Sequence, residues 1–268
     1  DAPTALRREL EEELGVEVEP SRRVHCVRWP ESHRTLVLDG WRVRVCAGRP
    51  RGLQGQALRW AAIEKLHELP MPPADAPLCS AIRLDQIMWI TPELSSEREL
   101  PAWLTGVDAR LEAGVRLVQL RLPGVDAELL QLVAAALSER CRAVGARWLL
   151  NGNAEWASVL KADGLHLSSP ILRRLAQRPA PRRLTVGASC HDAHELKHAA
   201  RLGLDYATLS PLRETRTHAD ARPLGDAGFA ALARHCPIPV FALGGVSTAD
   251  LDHVRALGAF GLAGIRGV

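Results

Sequence analysis

Residues 238–264, IPVFALGGVSTADLDHVRALGAFGLAG, decide the fold. Residues 238–243 form a short apolar run, Gly244-Gly245 interrupts it, residues 248–257 carry a helical pattern, and residues 260–264 are apolar again. Apolar runs of this length suit strands buried on both faces, and a helix between two of them makes a parallel β/α unit. The same unit recurs towards the N-terminus. Apolar runs stand at 86–91, 115–120, 147–150, 164–167, 184–187 and 206–209. Helical patterns separate them: an amphipathic stretch through residue 113, then 126–144, 191–202 and 226–235. Eight strands over roughly 180 residues predict an α/β chain folded as a (β/α)8 barrel. A doubly wound open sheet is the alternative, but no G-x-G-x-x-G follows the first run. The pattern ends at residue 264, so the barrel is expected to lack its last helix, with 87–268 as its span.

Upstream the texture differs. In residues 1–16, DAPTALRRELEEELGV, Leu6, Leu10 and Leu14 make a helical stripe, and Glu9, Glu12 and Glu13 share the neighbouring face. The plain reading is a solvated helix whose glutamates pair with Arg8. The alternative is a carboxylate cluster made favourable by a divalent cation. Gly15 stops the helix, and residues 16–18 alternate like a strand. Strands are expected at 24–29, at 34–46 with a break at Asp39-Gly40, and at 58–60, and a short helix at 63–69. The proline-rich residues 70–77 read as a rigid, helix-breaking segment.

The chain has 268 residues, 47% apolar and 24% charged, an ordinary composition for a globular protein with one or two domains. A net charge of +3 gives no argument for direct nucleic-acid or membrane binding. The six cysteines show no C-x-x-C spacing and read as reduced thiols in a cytoplasmic protein.

Arg8-Glu9-Leu10-x-Glu12-Glu13-x-Gly15-Val16 resembles the second half of the Nudix box, G-x5-E-x7-R-E-U-x-E-E-x-G-U with U aliphatic. On that resemblance the first Glu of the box precedes Asp1, and residues 1–80 are a partial α+β Nudix domain of the MutT type, with 81–86 a linker. The resemblance implies Mg²⁺, or Mn²⁺ in its place, on Glu9, Glu12 and Glu13, with Arg8 orienting a carboxylate. It implies hydrolysis of a nucleoside triphosphate such as 8-oxo-dGTP, with Asp75 at the base-reading position. MutT-type enzymes carry Asn there, and Asp lacks the amide donor.

In the barrel, chemistry is expected on the loops after the strands, and phosphate after strands seven and eight. Gly244-Gly245 and Gly264-Ile265 occupy those loops. The ordered set Gln119-Leu120-Arg121, Asn151, Gly164-Leu165-His166, Ser189-Cys190-His191, Thr215-Arg216-Thr217-His218 and Gly244-Gly245 resembles thiamine phosphate synthase and the TenI-type thiazole tautomerase over residues 87–268. The synthase joins a pyrimidine diphosphate to thiazole phosphate, using Mg²⁺. By resemblance, Arg121, Asn151, Ser189, Thr215, Thr217 and His218 contact substrate. Gly244, Gly245, Gly264 and Ile265 hold phosphate, and His191 is the tautomerase acid/base. His166 reads as a hydrogen-bonded core residue. The synthase's N-D is Asn151-Gly152 here, and its G-Q-x-D is Ser168-Ser169-Pro170-Ile171, so both metal carboxylates are missing. The expectation is therefore a Mg²⁺-dependent nucleotide pyrophosphohydrolase fused to a phosphate-binding barrel without synthase activity. The alternatives are a thiazole-phosphate tautomerase or a thiamine phosphate synthase in the barrel, or a non-catalytic phosphate-binding module.

Overall fold

The computed structural model describes residues 1–215 and 222–268 as two compact units, Asp1–Arg83 and Leu84–Val268. In the first unit, helix α1 (Ala2–Leu14) is capped by Asp1, whose carboxylate accepts the Thr4 amide at 2.9 Å. It closes at Gly15, which takes the left-handed conformation that helix ends favour, φ 65°. Strands β1 (Glu17–Pro30) and β2 (Thr35–Ala47) form an antiparallel ribbon. Val16 and Val18 are buried and Glu17 between them is exposed, the alternation the sequence suggests.

The ribbon is more continuous than expected. β2 runs through Asp39-Gly40 without a break. A Cβ on Gly40 would come within 2.7 Å of Leu78 Cδ2, so the glycine serves close packing rather than a turn. Residues 58–60 form no strand, and Trp60 is 87% exposed. Ile63–Glu68 winds as a 3-10 helix, and Pro73–Asp75 is a second short turn of that kind. The latter leads straight into α2 (Ala76–Arg83), so the expected helix-breaking segment starts a helix. Pro77 is tolerated in its first turn because an amide there has no intrahelical partner to lose. Residues 81–83, expected in a linker, are the last turn of α2.

The second unit is a closed parallel barrel. Its strands are β3 (Ile87–Ile90), β4 (Leu117–Leu120), β5 (Arg147–Asn151), β6 (Gly164–Leu167), β7 (Thr185–Cys190), β8 (Tyr206–Leu209), β9 (Val240–Leu243) and β10 (Gly261–Gly264). Each pairs with its sequence neighbours, and β10 closes on β3 with Leu262 opposite Ile87, which excludes the open sheet. Helices α3 (Leu100–Glu112), α4 (Ala127–Ala143), α5 (Ala154–Val159), α6 (Ser169–Arg174), α7 (Ala193–Arg201), α8 (Gly225–Ala233) and α9 (Leu251–Ala256) connect the strands. Side chains such as Val118, Trp148, Leu165 and Leu167 from strands and Val133, Leu137 and Leu172 from helices share one buried core.

One row across the strands sets up the site. Asn151, His166, Gly187 and Tyr206 stand in register on β5 to β8. A Cβ on Gly187 would lie 2.1 Å from the Tyr206 ring, so the missing side chain lets Tyr206 cross β7 towards His166. Phe241 packs edge-on against Tyr206 at 5.5 Å, and Phe260 against Phe241 at 5.4 Å. Among the described residues, no helix is long and apolar enough to cross a membrane.

Candidate active site

The C-terminal ends of the strands open on a cavity of about 540 Å³. Its lining includes Gln119, Arg121, Asn151, His166, Ser168, Ser169, Arg173, Ser189, His191, Thr208, Ser210, Thr215, Gly244 and Ile265. Two of these groups, Gln119 Nε2 and Thr208 Oγ1, are buried and have no hydrogen-bond partner among the described residues. A buried donor without a partner costs free energy, so such groups mark where a ligand can repay it.

Beside them runs a hydrogen-bonded line. Tyr206 Oη lies 2.8 Å from His166 Nδ1, and His166 Nε2 lies 2.9 Å from Ser189 Oγ. Burial pushes the His166 imidazolium down to a pKa of about 3 and raises the Tyr206 phenol well above its usual value. Both are therefore neutral near pH 7. A neutral imidazole has one donor and one acceptor nitrogen, so one neighbour donates to His166 and the other accepts from it. His166 is a core residue whose hydrogen bonds reach the mouth.

The rim is more polar. Thr91 Oγ1 accepts the Arg121 amide at 3.0 Å, and Arg121 Nη1 donates to Glu93 at 2.9 Å. His191 Nδ1 lies 2.9 Å from the Ser210 carbonyl oxygen. A carbonyl only accepts, so Nδ1 carries the hydrogen and Nε2 is the basic nitrogen. The His191 amide donates to Glu195 Oε2 at 2.7 Å, while Ser169 Oγ and Arg173 Nε each donate to Oε1 at 2.6 Å. Burial opposes ionisation of Glu195, yet these hydrogen bonds and the Arg173 charge hold its carboxyl below the ordinary pKa.

Gly244 and Gly245 have φ of 96° and 67°. A Cβ on Gly244 would come within 2.9 Å of Pro211, and one on Gly245 within 2.8 Å of Arg213. Close packing against the loop after β8 thus requires both glycines, whatever they bind. Gly264 ends β10, and the Ile265 carbonyl accepts Trp89 Nε1 at 3.0 Å. Thr217 and His218 lie outside the described residues.

The carboxylates of the first unit do not converge. Glu9 and Glu12 are exposed, with Arg8 Nη2 at 2.7 Å from Glu9 and Arg8 Nε at 3.8 Å from Glu12. Glu13 is half-buried one helical step on, and Asp75 sits in its own short turn. Among the described residues, no group of three His, Cys, Asp or Glu side chains is gathered to hold a metal. Exposed like charges spread along a helix face are screened by water and paired with arginine, which is the plain reading of this stretch.

Residues 87–268 match the family described as thiamine monophosphate synthase. The chain belongs to the thiamine monophosphate synthase family. A putative thiamine-phosphate synthase 2 of Aquifex aeolicus is 32% identical over 166 residues, 61% of this chain and 88% of that protein. The thiamine-phosphate synthase of a Synechococcus species is 34% identical over 165 residues, again 61% of this chain. The match spans 46% of the Synechococcus protein, less than half of its length. A thiamine phosphate pyrophosphorylase from Pyrococcus furiosus shares the fold, with a TM-score of 0.55 at 24% identity over 67% of this chain and 85% of its own.

These matches overturn the expectation of a nucleotide pyrophosphohydrolase. The family match lies on residues 87–268 and the relatives are named thiamine-phosphate synthases, which points to small phosphate-bearing ligands in place of nucleoside triphosphate and 8-oxo-dGTP. The synthase reading, an alternative on sequence alone, takes first place in this family. The Mg²⁺ used by synthases fits this mouth poorly. Among the described residues no carboxylate lines the cavity, and both oxygens of nearby Glu195 are engaged.

Gln119 and Thr208 were not singled out as ligands from sequence, nor were Tyr206, Arg173 and Glu195. For Arg173 a signal exists: it follows Ser169 by four residues, which puts both on one side of a short helix. The unpartnered state of Gln119 and Thr208 is a property of packing and has no local spelling.

Proposed function

We propose that the barrel performs the thiamine phosphate synthase reaction, joining a pyrimidine diphosphate to a thiazole phosphate with release of pyrophosphate. The observation that supports it most is a pair of buried groups lining the cavity of a synthase-family barrel, Gln119 Nε2 and Thr208 Oγ1, which have no partner among the described residues. A nitrogen heterocycle seated there supplies the acceptor and donor that they lack. Ser189, held by His166, adds a third hydrogen-bonding group on the same wall. At the rim, Arg121 offers a guanidinium for an anionic substituent, the geometry that suits phosphate oxygens. The first unit takes no part in this reading.

The test is formation of thiamine phosphate from the two substrates, measured by chromatography for the whole chain and for Gln119→Ala. Turnover is expected, with kcat/KM lowered about tenfold to a hundredfold in the variant by loss of a buried hydrogen bond. A second reading, isomerisation of a thiazole carboxylate phosphate, is favoured by the Ser210 carbonyl, which holds His191 Nδ1 as the donor and leaves Nε2 as the nitrogen that can exchange a proton. It requires turnover of the thiazole alone and its abolition in His191→Asn. Neither product from either assay overturns the assignment to thiamine-precursor chemistry.

A further inference from the structure

Among the described residues no carboxylate lines the mouth to hold a divalent cation, yet an anchored cation does. Arg173 lines the cavity from α6. Its Nε is anchored at 2.6 Å to Glu195, a side chain only 1% exposed, while the Arg173 side chain is 59% exposed. The anchor engages one nitrogen of the guanidinium edge and leaves terminal N–H groups at the exposed end. Glu195 in turn is immobilised by Ser169 Oγ and the His191 amide, so the arginine stem leans on a buried, fully bonded carboxylate. An arginine held in this way has already lost much of its rotamer freedom, which reduces the entropic cost of binding an anion.

We infer that Arg173, positioned by Glu195, is an anion-binding residue that holds a phosphate or diphosphate group in the mouth without a divalent cation. The guanidinium fork takes two oxygens of the anion by charge-assisted hydrogen bonds. Ser169 and Arg173 occupy the loop and short helix where the family resemblance expects a metal carboxylate, so a protein cation stands in the region where other synthases use a metal ion. This deepens the synthase reading by naming how its diphosphate is held, and its test does not depend on turnover.

The probe is inorganic pyrophosphate, titrated calorimetrically into the whole chain in EDTA and again in Mg²⁺. Binding in EDTA is expected, with no gain in affinity from Mg²⁺. Arg173→Gln should weaken it about tenfold or more, and Arg173→Lys by less, since the charge stays but the fork is lost. Circular dichroism of both variants should match the parent, because the altered side chain is largely exposed. Binding that requires Mg²⁺, or equal affinity in the parent and Arg173→Gln, overturns the inference. If pyrophosphate binds as expected but no thiamine phosphate forms, the synthase reading fails and the arginine site stands.

Discussion

The two units of this chain differ in how they use apolar residues. In the barrel, the inner and outer sides of each strand are covered, and one buried cluster runs from Trp89 to Val268. In the first unit the buried apolar residues reduce to Val16, Val18, Val27, Ala74, Pro77 and Ala81, and α1 buries none of its residues. Large apolar side chains such as Val37, Val45, Leu53, Leu58 and Trp60 stay exposed there. A two-stranded ribbon with a small core draws little stability from burial, whereas eight mutually paired strands draw a great deal. The difference teaches that a compact local motif is a weaker guide to function than a pattern spread through a core. The glutamate-rich helix spells a recognisable phrase, yet its carboxylates gather no metal-holding group among the described residues. The scattered polar strand ends line one cavity.

The sharpest way to break the comparison is through glycine. Gly187→Ala places a methyl group 2.1 Å from the Tyr206 ring inside a closed barrel with no room to shift. We expect a loss of about 3 kcal/mol, at the upper end for overpacking, read by chemical denaturation. In the first unit, Gly55 has φ 80° and open space around its Cβ, so Gly55→Ala carries only the left-handed strain of about 1–2 kcal/mol. Equal costs at the two positions would mean that the barrel interior yields as easily as the loop.

Next in size is Tyr206→Phe. It removes the hydroxyl 2.8 Å from His166 Nδ1 and leaves a fully buried nitrogen unpaired, at a cost of about 1–3 kcal/mol. It also frees the His166–Ser189 pair to reorient, so kcat/KM for thiamine phosphate formation should fall with stability. A variant as stable as the parent would show that water enters the barrel to replace the hydroxyl.

These two residues also mark the boundary of what the sequence reveals. The eight strands are legible because buried parallel strands are short apolar runs separated by helices, and residues 164–167 and 206–209 match β6 and β8 residue for residue. His166 is legible as a core residue because it sits inside such a run. Its partnership with Tyr206 is not, since it depends on three strands aligning across Gly187, a contact between residues forty positions apart. In the first unit the ends of elements depart from local rules for a different reason. Gly40 and Pro77 are punctuation marks by local rules, but packing against Leu78 keeps Gly40 in a strand, and a first-turn position keeps Pro77 in a helix.

The pH dependence of stability sharpens the contrast further. His166 has a folded pKa of about 3, below the unfolded value of about 6.5, so the unfolded chain binds a proton that the barrel refuses. Above pH 6.5 its contribution is complete. Between pH 6.5 and 3 it should fall by about 1.4 kcal/mol per pH unit, and below 3 it no longer changes. Unfolding free energies measured from pH 7 to 4 should show this slope in the parent and lose one proton's worth of it in His166→Asn. An unchanged slope would place the acid-sensitive group elsewhere.

The smallest expected effect belongs to the helix with the most conspicuous sequence. Glu12 is 59% exposed and 3.8 Å from Arg8, a separation at which water and salt screen most of the attraction. Replacing its charge by an isosteric amide removes no buried contact and keeps the length of the side chain. Glu12→Gln should therefore move the melting temperature by less than about 2 °C. Thiamine phosphate formation and pyrophosphate binding should be unchanged. A marked loss of either in Glu12→Gln would tie the helix to the chemistry of the barrel and undo the division of labour argued above. An unchanged variant beside a weakened Arg173→Gln would locate the anion chemistry in a residue that the sequence leaves inconspicuous, and remove it from the three glutamates that it advertises.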